Sequence, residues 1–218
     1  MTARQVADAT ETLAKKPEIL SLDPSSVADV IGDVLKVGDA TGARDEAERF
    51  AGSLSRRVEA VKARASLADT KPRVACLEWM DPVLVAGHWV PEMVEMAGGE
   101  DVLGDKHTPS FRVEWERVLQ ARPEVILVTP CGFDAKRALQ EVSLLTEREG
   151  WSSLPAVEQS RVFVVDASAY FSRSGPRLID GLEIMAEILH PELFSGFVPT
   201  GGAIRVNGRV VPAKKPQG

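Results

Sequence analysis

Behind one apolar run, the chain gathers side chains that could either move protons or hold a flat ligand. The stretch LEWMDPVLVAGHWVPEMVEMAGGEDVLG, residues 77–104, carries two acids, two tryptophans and a histidine within twelve residues. These residues are Glu78, Trp79, Asp81, His88 and Trp89. Carboxylates and imidazoles exchange protons and ligate metals, whereas indole rings provide broad stacking surfaces. The cluster therefore raises three hypotheses: acid–base catalysis, a metal site and an aromatic binding surface.

A protein-held metal site is not expected. His88 and Glu92 are four residues apart, but Pro91 at a helix start breaks the helical register between them. The other two histidines are far away in sequence. The chain also lacks GxSxG, HExxH, CxxC and a glycine-rich phosphate loop after a strand. No nucleophile with a neighbouring base is visible, so an enzyme is the weaker hypothesis, with Glu78 or Asp81 as its acid or base.

The length, composition and net charge of the chain argue against nucleic acid and membrane as partners. With 218 residues, 44% of them hydrophobic, the chain fits one domain with a proper core, or one domain with an extra piece. A net charge of −6 argues against nucleic acid, because phosphate binding favours a basic surface. No apolar run approaches the roughly 18 residues of a membrane-spanning helix, so we expect no membrane insertion.

The first residues and the cysteines bear on the compartment. The segment 1–22 shows no basic region followed by an apolar one, so no signal peptide is visible, and a chain complete as written would be cytoplasmic. Cys76 and Cys131 lie within or just after predicted strands. We expect both to be buried free thiols, because a free cysteine behaves as a small hydrophobic residue.

The part of the chain before residue 70 reads as mostly helical. Residues 3–15 form a predicted helix and 18–22 a short predicted strand. From residue 27 to 61 apolar side chains recur at helical spacing, with an interruption around Gly42. The region 24–67 is therefore predicted to be one very long helix with a weak joint at Gly42, or two helices nearly in line.

Strands and helices alternate in the rest of the chain. Solid apolar runs at 73–77, 125–129 and 161–166 are typical of strands that are covered on both faces. The predicted helices are 91–96, 113–120, 134–149 and 175–189. The predicted fold class is α/β, a Rossmann-like, three-layer lobe with a mostly parallel sheet. Near the end, Asn207-Gly208 between two short apolar runs indicates an edge hairpin or a loose extension.

Aromatic residues are concentrated where the predicted strands end. Ligands of open α/β sheets bind beyond the carboxyl ends of the strands, which makes these loops the candidate site. Two of the four tryptophans, the single tyrosine and two of the seven phenylalanines lie there. Core packing explains any one of them equally well, but together they favour a binding surface. The rim aromatics are Trp79, Trp89, Phe133, Tyr170 and Phe171.

Three stretches of the chain together resemble a known family. They are RVACLEWMDPVLVAGHWVPEMVEMAGGEDVLG, VEWERVLQARPEVILVTPCGF and AYFSRSGPRLIDGLEIMAEILHP. They are similar, in the same order, to the cobalamin-binding branch of the ABC-transporter substrate-binding proteins, in which one long rigid helix joins two α/β lobes. The resemblance covers about residues 17–193.

The resemblance implies a division of the chain. Residues 1–22 correspond to a remnant of the N-terminal lobe, 23–68 to the connecting helix and 69–193 to the C-terminal ligand-binding lobe, with a tail at 194–218. Most of the N-terminal lobe and its export signal have no counterpart, so a truncated form is expected. Because family members hold their ligand between two lobes, the resemblance implies weak or no binding by this chain and a periplasmic or extracytoplasmic location.

The resemblance also assigns roles to residues. It implies a corrinoid as transported ligand, with no cofactor, the five rim aromatics as its wall and Ser172 and Arg173 along its amide edge. His88 hydrogen-bonds in its turn or, as the less favoured hypothesis, approaches the cobalt. Docking to an ABC permease through one exposed acid is implied for Glu116, with Glu114 as the alternative register.

Three alternatives stay open. Within the same fold the ligand could be haem or a ferric siderophore, but such anionic ligands favour a basic cleft, and Arg173 and Arg177 are offset here by Glu78 and Asp81. A cytoplasmic α/β enzyme that uses Glu78 or Asp81 is the second alternative. The third is a nonfunctional or regulatory fragment that retains only the fold.

Overall fold

The N-terminal part of the chain is helical in the computed structural model, which describes residues 3–11, 13–15 and 17–206. Its helices are α1 (Ala3–Thr10), α2 (Val27–Thr41) and α3 (Arg44–Ala65). A capping box begins α2, because the Ser26 hydroxyl accepts the Asp29 N–H while the Asp29 carboxylate accepts the Ser26 N–H. Gly42 ends α2 in the left-handed conformation, with φ at 73°.

α2 and α3 fold back on each other as a hairpin. Gly38 of α2 lies so close to α3 that a Cβ there would come within 2.2 Å of an α3 side chain. Further from the turn, Val27 and Val58 line one groove between the helices. The prediction of one long helix, or of two helices nearly in line, over 24–67 is therefore wrong. The left-handed Gly42 reverses the chain, and the apolar stripes that suggested one continuous helix pack together in one core.

No strand forms at 18–22, where the sequence predicts one. A strand needs a neighbour that exchanges backbone hydrogen bonds with it, and among the described residues the sheet provides none for this segment. Ile19, Leu20 and Leu22 are 44%, 43% and 43% exposed as a consequence.

Seven strands of the described residues form one mixed sheet. They are β1 (Arg73–Met80), β2 (Val83–Val85), β3 (Glu100–Asp101), β4 (Phe111–Arg112), β5 (Val125–Val128), β6 (Val162–Val165) and β7 (Ala203–Arg205). The order across the sheet is β4-β2-β1-β5-β6-β7, and β3 pairs with the first residues of β1. β3, β1, β5 and β6 run parallel, whereas β2, β4 and β7 pair antiparallel with their neighbours.

Helices cover both faces of this sheet. They are α4 (Val90–Met96), α5 (Trp115–Ala121), α6 (Ala135–Glu141), α7 (Ser143–Thr146), a 3₁₀ turn (Trp151–Ser153), α8 (Pro155–Glu158), α9 (Ala167–Tyr170) and α10 (Leu178–Leu189). Along β5, Val125 and Leu127 belong to one hydrophobic core, whereas Ile126 and Val128 belong to the other. The first core lies under α3, α4 and α10 and the second under α5 and α6. The predicted α/β fold class with helices on both faces is confirmed.

The structure extends or interrupts several predicted elements. β1 continues beyond the predicted 73–77 as far as Met80, which places Trp79 within the strand. The helix predicted at 134–149 is broken after Glu141, and α7 follows it. The first arm of the predicted hairpin forms β7 against β6, whereas Asn207-Gly208 lies outside the described residues.

An ion-pair network fastens α3 to the sheet-bearing part of the chain. Arg57 of α3 donates to both carboxylate oxygens of Glu183 on α10, at 2.9 and 2.6 Å, and to Asp180 at 2.5 Å. These contacts raise the pKa of Arg57, chiefly through the hydrogen bonds to Glu183. Because Leu54 and Val58 of α3 also belong to the core that contains α10, the hairpin and the sheet pack as one unit.

Candidate functional site

Two aromatic side chains from neighbouring strand ends meet at the rim. Trp79, near the end of β1, and Phe133, in the loop after β5, are both half-buried. Their ring centroids are 5.4 Å apart in an edge-to-face arrangement. The Trp79 indole N–H donates to the Asp81 carbonyl at 3.1 Å, which fixes the orientation of the ring. The Arg137 guanidinium lies over Phe133, 5.1 Å from its centroid. The pair is thus a positioned and partly open aromatic surface.

The loops after β5 and β6 are tied together. Asp134 caps α6 by accepting the Arg137 N–H, and Asp166 caps α9 by accepting the Ala169 N–H. The Ser168 N–H at the start of α9 donates to the Phe133 carbonyl at 3.0 Å. The two strand ends therefore present their side chains to one shared surface.

Tyr170 is held at the end of α9 between α10 and an arginine. The Arg177 guanidinium lies 4.9 Å from the centre of its ring. α10 approaches the Tyr170 backbone so closely that a Cβ at Gly181 would lie 2.3 Å from the Tyr170 carbonyl oxygen. A glycine is required at this position, since any side chain would displace α9 and the rim residues that it carries.

An open polar pocket of about 350 Å³ lies between these loops. Two acids, two arginines and a hydroxyl supply its polar groups, and the complete lining is Gly132, Asp134, Asp166, Ser168, Ala169, Arg173 and Arg177. Of the residues assigned to the ligand's edge, Arg173 lines the pocket, whereas Ser172 is half-buried and is not part of the lining. The pocket adjoins the aromatic pair, because Phe133 stands between Gly132 and Asp134 in the chain.

Trp89 and Phe171 belong to the hydrophobic core. Trp89 is 9% exposed and Phe171 3% exposed, and both pack in the core that contains α3 and α10. The Trp89 indole N–H donates to the Phe171 carbonyl at 2.9 Å. The prediction that these two rings form part of a ligand wall is therefore wrong, because their faces are covered by protein.

His88 occupies a strained turn. Its φ is 53°, in the left-handed region that few non-glycine residues adopt. Its N–H donates to the Thr108 carbonyl at 2.6 Å, and its carbonyl accepts the His107 N–H at 2.9 Å. The half-buried ring lies 5.6 Å from that of Trp89. Among the described residues, no three His, Cys, Asp or Glu side chains are grouped to hold a metal ion.

The acids proposed for an enzyme mechanism have structural partners. Glu78 accepts the Ser110 hydroxyl, and Asp81 pairs with Arg148 at 3.0 Å. Glu92 accepts the Val27 N–H at 3.0 Å and so ties α4 to the first turn of α2.

The two cysteines differ in exposure. Cys76 is buried within β1, and burial raises the pKa of its thiol. Cys131 is exposed on the rim, so the prediction that it is buried is wrong. A loop residue that follows a strand is covered only if another element packs over it, which the sequence pattern does not reveal.

The predicted docking acid is on the surface. Glu116 is exposed in the first turn of α5. Glu114, the alternative, stands just before that helix and pairs with Arg112 at 3.3 Å. Glu116 therefore offers the free carboxylate of the two in the described part of the chain.

Comparisons with known proteins bear on this fold and site. The family model described as periplasmic binding protein matches residues 1–169. The uncharacterized ABC transporter substrate-binding lipoprotein YvrC of Bacillus subtilis is 28% identical over 177 residues, which are 79% of this chain and 53% of that protein. A vitamin B12-binding protein of Vibrio cholerae is 29% identical over 100 residues, 46% of this chain and 33% of that protein. The chain thus spans about half the length, or less, of the curated relatives it matches.

Solved structures share the fold. An ABC transporter substrate-binding protein from Listeria monocytogenes superposes with a TM-score of 0.71 at 21% identity, over 85% of this chain and 72% of that one. The periplasmic heme-binding protein RhuT from Roseiflexus sp. RS-1 superposes with a TM-score of 0.69 at 25% identity, over 86% of this chain and 70% of that one. The lobe architecture is therefore that of the solved binding proteins.

Proposed function

The chain belongs to the periplasmic binding protein family, whose members carry transported ligands and are not enzymes, and from that premise we propose that it forms the C-terminal ligand-binding lobe of a substrate-binding protein. The proposed ligand is cobalamin or a related corrinoid, and the proposed recipient is the permease of an ABC importer. The mechanism is capture between two lobes and release on docking, with no bond chemistry. The enzyme that would use Glu78 or Asp81 is no longer a candidate.

The observation that carries the ligand proposal is the aromatic pair beside a polar pocket. Trp79 and Phe133 offer apolar ring surface at one end of the sheet, and hydrogen-bonding groups follow directly in the loop after Phe133. A corrin is a broad ring with polar groups around its edge, so it needs both kinds of surface next to each other. The matched relative from Vibrio cholerae, described as vitamin B12-binding, supports this choice.

Haem is the second candidate, and the match to RhuT of Roseiflexus, described as heme-binding, supports it. Haem is also a flat macrocycle that Trp79 and Phe133 could contact, but its edge carries carboxylates. Isothermal titration of the chain with cyanocobalamin and, separately, with haemin tests the proposal. We expect binding of cyanocobalamin with the lower Kd. Tighter binding of haemin than of cyanocobalamin would contradict the corrinoid assignment.

We place the proposed protein outside the cytoplasm, where family members act. Among the described residues, none of the helices combines the length and apolar character that crossing a bilayer requires. Docking through Glu116 is supported by its exposure and by the lack of an ion-pair partner in the described part of the chain. An exposed acid that meets a permease arginine speeds association and fixes orientation.

Substitution tests this docking contact. We expect Glu116→Gln to reduce co-purification with the permease of the same importer about tenfold, because removal of one partner leaves the facing charge unpaired. Glu158→Gln, another exposed helical acid, is the matched control. Unchanged co-purification by the Glu116 variant, or a loss confined to Glu114→Gln, would show that Glu116 is not the docking residue.

A further inference from the structure

The acidic residues that lie beside Arg173 and Arg177 in the polar pocket are not the ones that the sequence suggested. Glu78 and Asp81, the acids set against the arginines in the sequence, are engaged by Ser110 and Arg148. The acids that line the pocket are instead Asp134 and Asp166.

Each pocket acid keeps one oxygen free for a ligand. Asp134 Oδ1 accepts the Arg137 N–H at 2.7 Å, and Asp166 Oδ1 accepts the Ala169 N–H at 2.9 Å. Within the part of the chain that the structure describes, the second oxygen of each carboxylate has no hydrogen-bond partner. The pocket therefore presents acceptors that are oriented by their helix-capping bonds.

The pocket donors are also free. Within the same described residues, neither Arg173 nor Arg177 pairs with a carboxylate, and the Ser168 hydroxyl has no partner. The Arg177 guanidinium lies over the face of Tyr170. Two positive and two negative side chains thus share about 350 Å³ without neutralising each other in direct ion pairs.

A pocket with both arginines and aspartates distinguishes a carboxamide from a carboxylate. A carboxamide has an oxygen that accepts hydrogen bonds and an NH₂ group that donates two, so it can bond to the arginines and to the aspartates. A carboxylate only accepts, so it can bond to the arginines but offers no N–H to the free oxygens of Asp134 and Asp166, which it would also meet as like charges. Solvent weakens this repulsion in an open pocket but does not remove it.

We propose that the polar pocket binds an uncharged carboxamide at the ligand's edge and selects against a carboxylate in the same place. The inference rests on the proposed function, which it narrows to macrocycles with amide side chains. Arg173, Arg177 and Ser168 donate to the amide oxygen, whereas the free oxygens of Asp134 and Asp166 accept from its NH₂ group. Specificity then arises from repulsion of the wrong ligand as well as attraction of the right one.

Fragment titration tests the pocket without the whole ligand. Propionamide and propionate are titrated separately into the chain, and the backbone amide shifts of Gly132, Ser168 and Ala169 are followed by NMR. We expect propionamide to shift these signals at least about threefold more than propionate at equal concentration, since like charges disfavour the anion. Equal or larger shifts with propionate, or no shifts with either fragment, would overturn the proposal.

A double substitution identifies the selecting groups. Asp134→Asn with Asp166→Asn retains both helix caps, because asparagine caps as well as aspartate does, and it removes the two negative charges. We expect the preference for propionamide to disappear. Asp45→Asn, at an exposed site in the first turn of α3, is the control and should retain it. A preference that survives in the double variant would refute the role of the two acids.

Whole-ligand titration separates the two proposals. If propionamide is preferred but haemin binds more tightly than cyanocobalamin, the pocket inference stands and the corrinoid assignment fails. If cyanocobalamin binds while the fragments show no preference, the corrinoid assignment stands and the pocket inference fails.

Discussion

Asp101 is a buried carboxylate with only one of its oxygens satisfied. Oδ1 accepts the N–H groups of Leu103 and Gly104, at 3.0 and 2.7 Å, whereas Oδ2 is buried without a partner. Burial raises the pKa of Asp101 above its usual value of 3.8. The native state therefore binds this proton more tightly than the unfolded chain. The free energy of unfolding falls as pH rises from about 3.8 through the raised native pKa.

We expect Asp101→Asn to raise the free energy of unfolding at pH 7, because no buried charge remains. Asparagine retains an oxygen for both N–H donors but carries no charge, so this part of the pH dependence should also disappear. Urea unfolding at pH 4.5 and pH 7 measures both effects. Glu158→Gln, at an exposed site at the end of α8, is the control. An Asp101→Asn variant whose free energy of unfolding changes between pH 4.5 and pH 7 as much as that of the wild type would contradict this reading.

At the residue scale, the sequence predicted which aromatic residues follow the strands. It could not show which of them are exposed to a ligand and which are buried in the hydrophobic core. Trp79, Phe133 and Tyr170 are half-buried near the end of the sheet, and their contact with a ligand stays a prediction. Trp89 and Phe171 occur in similar local sequence, yet they are buried in the core that also contains residues of α3 and α10. Asp166 and Ser168 were missed as pocket residues, although their position directly after an apolar strand was a usable signal.

At the scale of elements, the Arg57 network decides how firmly α3 is held. The guanidinium makes a two-bond contact with Glu183, whose side chain is 14% exposed, and a further contact with Asp180. We expect Arg57→Ala to lower the free energy of unfolding by about 1 to 2 kcal/mol, because the partly buried Glu183 loses its counter-ion. Urea unfolding at pH 7 checks the value.

A surface ion pair provides the comparison. Arg49 and Glu46 pair on the outer face of α3, with side chains 70% and 69% exposed. Arg49→Ala should change stability by less than about 0.5 kcal/mol, since exposed pairs contribute little. If the Arg57 and Arg49 variants lose the same small amount, the interhelix network does not hold α3.

The long elements were predictable, but their relative placement was not. Solid apolar runs identified β1, β5 and β6, because a strand buried on both faces needs them. The helical spacing of apolar residues also predicted that the segments of α2 and α3 are helical. The spacing could not show that α2 and α3 form a hairpin, since one continuous helix and two antiparallel helices bury the same apolar stripe. Short strands such as β2 and β4 depend on their neighbours and leave no periodic signal.

At the scale of the molecule, the chain is one α/β lobe with a helical hairpin packed onto it. The aromatic pair and the polar pocket share one end of the sheet, while Glu116 stands on a helix at the surface. The match covers 53% of the relative YvrC, so that protein has residues beyond the matched part. The proposed mechanism holds the ligand between two lobes, and this chain accounts for one of them. Binding by the lobe alone is therefore expected to be weaker than binding between two lobes.

The most direct test of the account is titration of cyanocobalamin into the wild type and Trp79→Ala, with Leu67→Ala as a control. Leu67 is 70% exposed and precedes the opposite end of β1. We expect the wild type and the Leu67 variant to bind equally and the Trp79 variant to bind about tenfold more weakly, because a ring face is lost. Equal binding by all three chains, or weaker binding by the Leu67 variant than by the Trp79 variant, would contradict a corrinoid held against the aromatic rim.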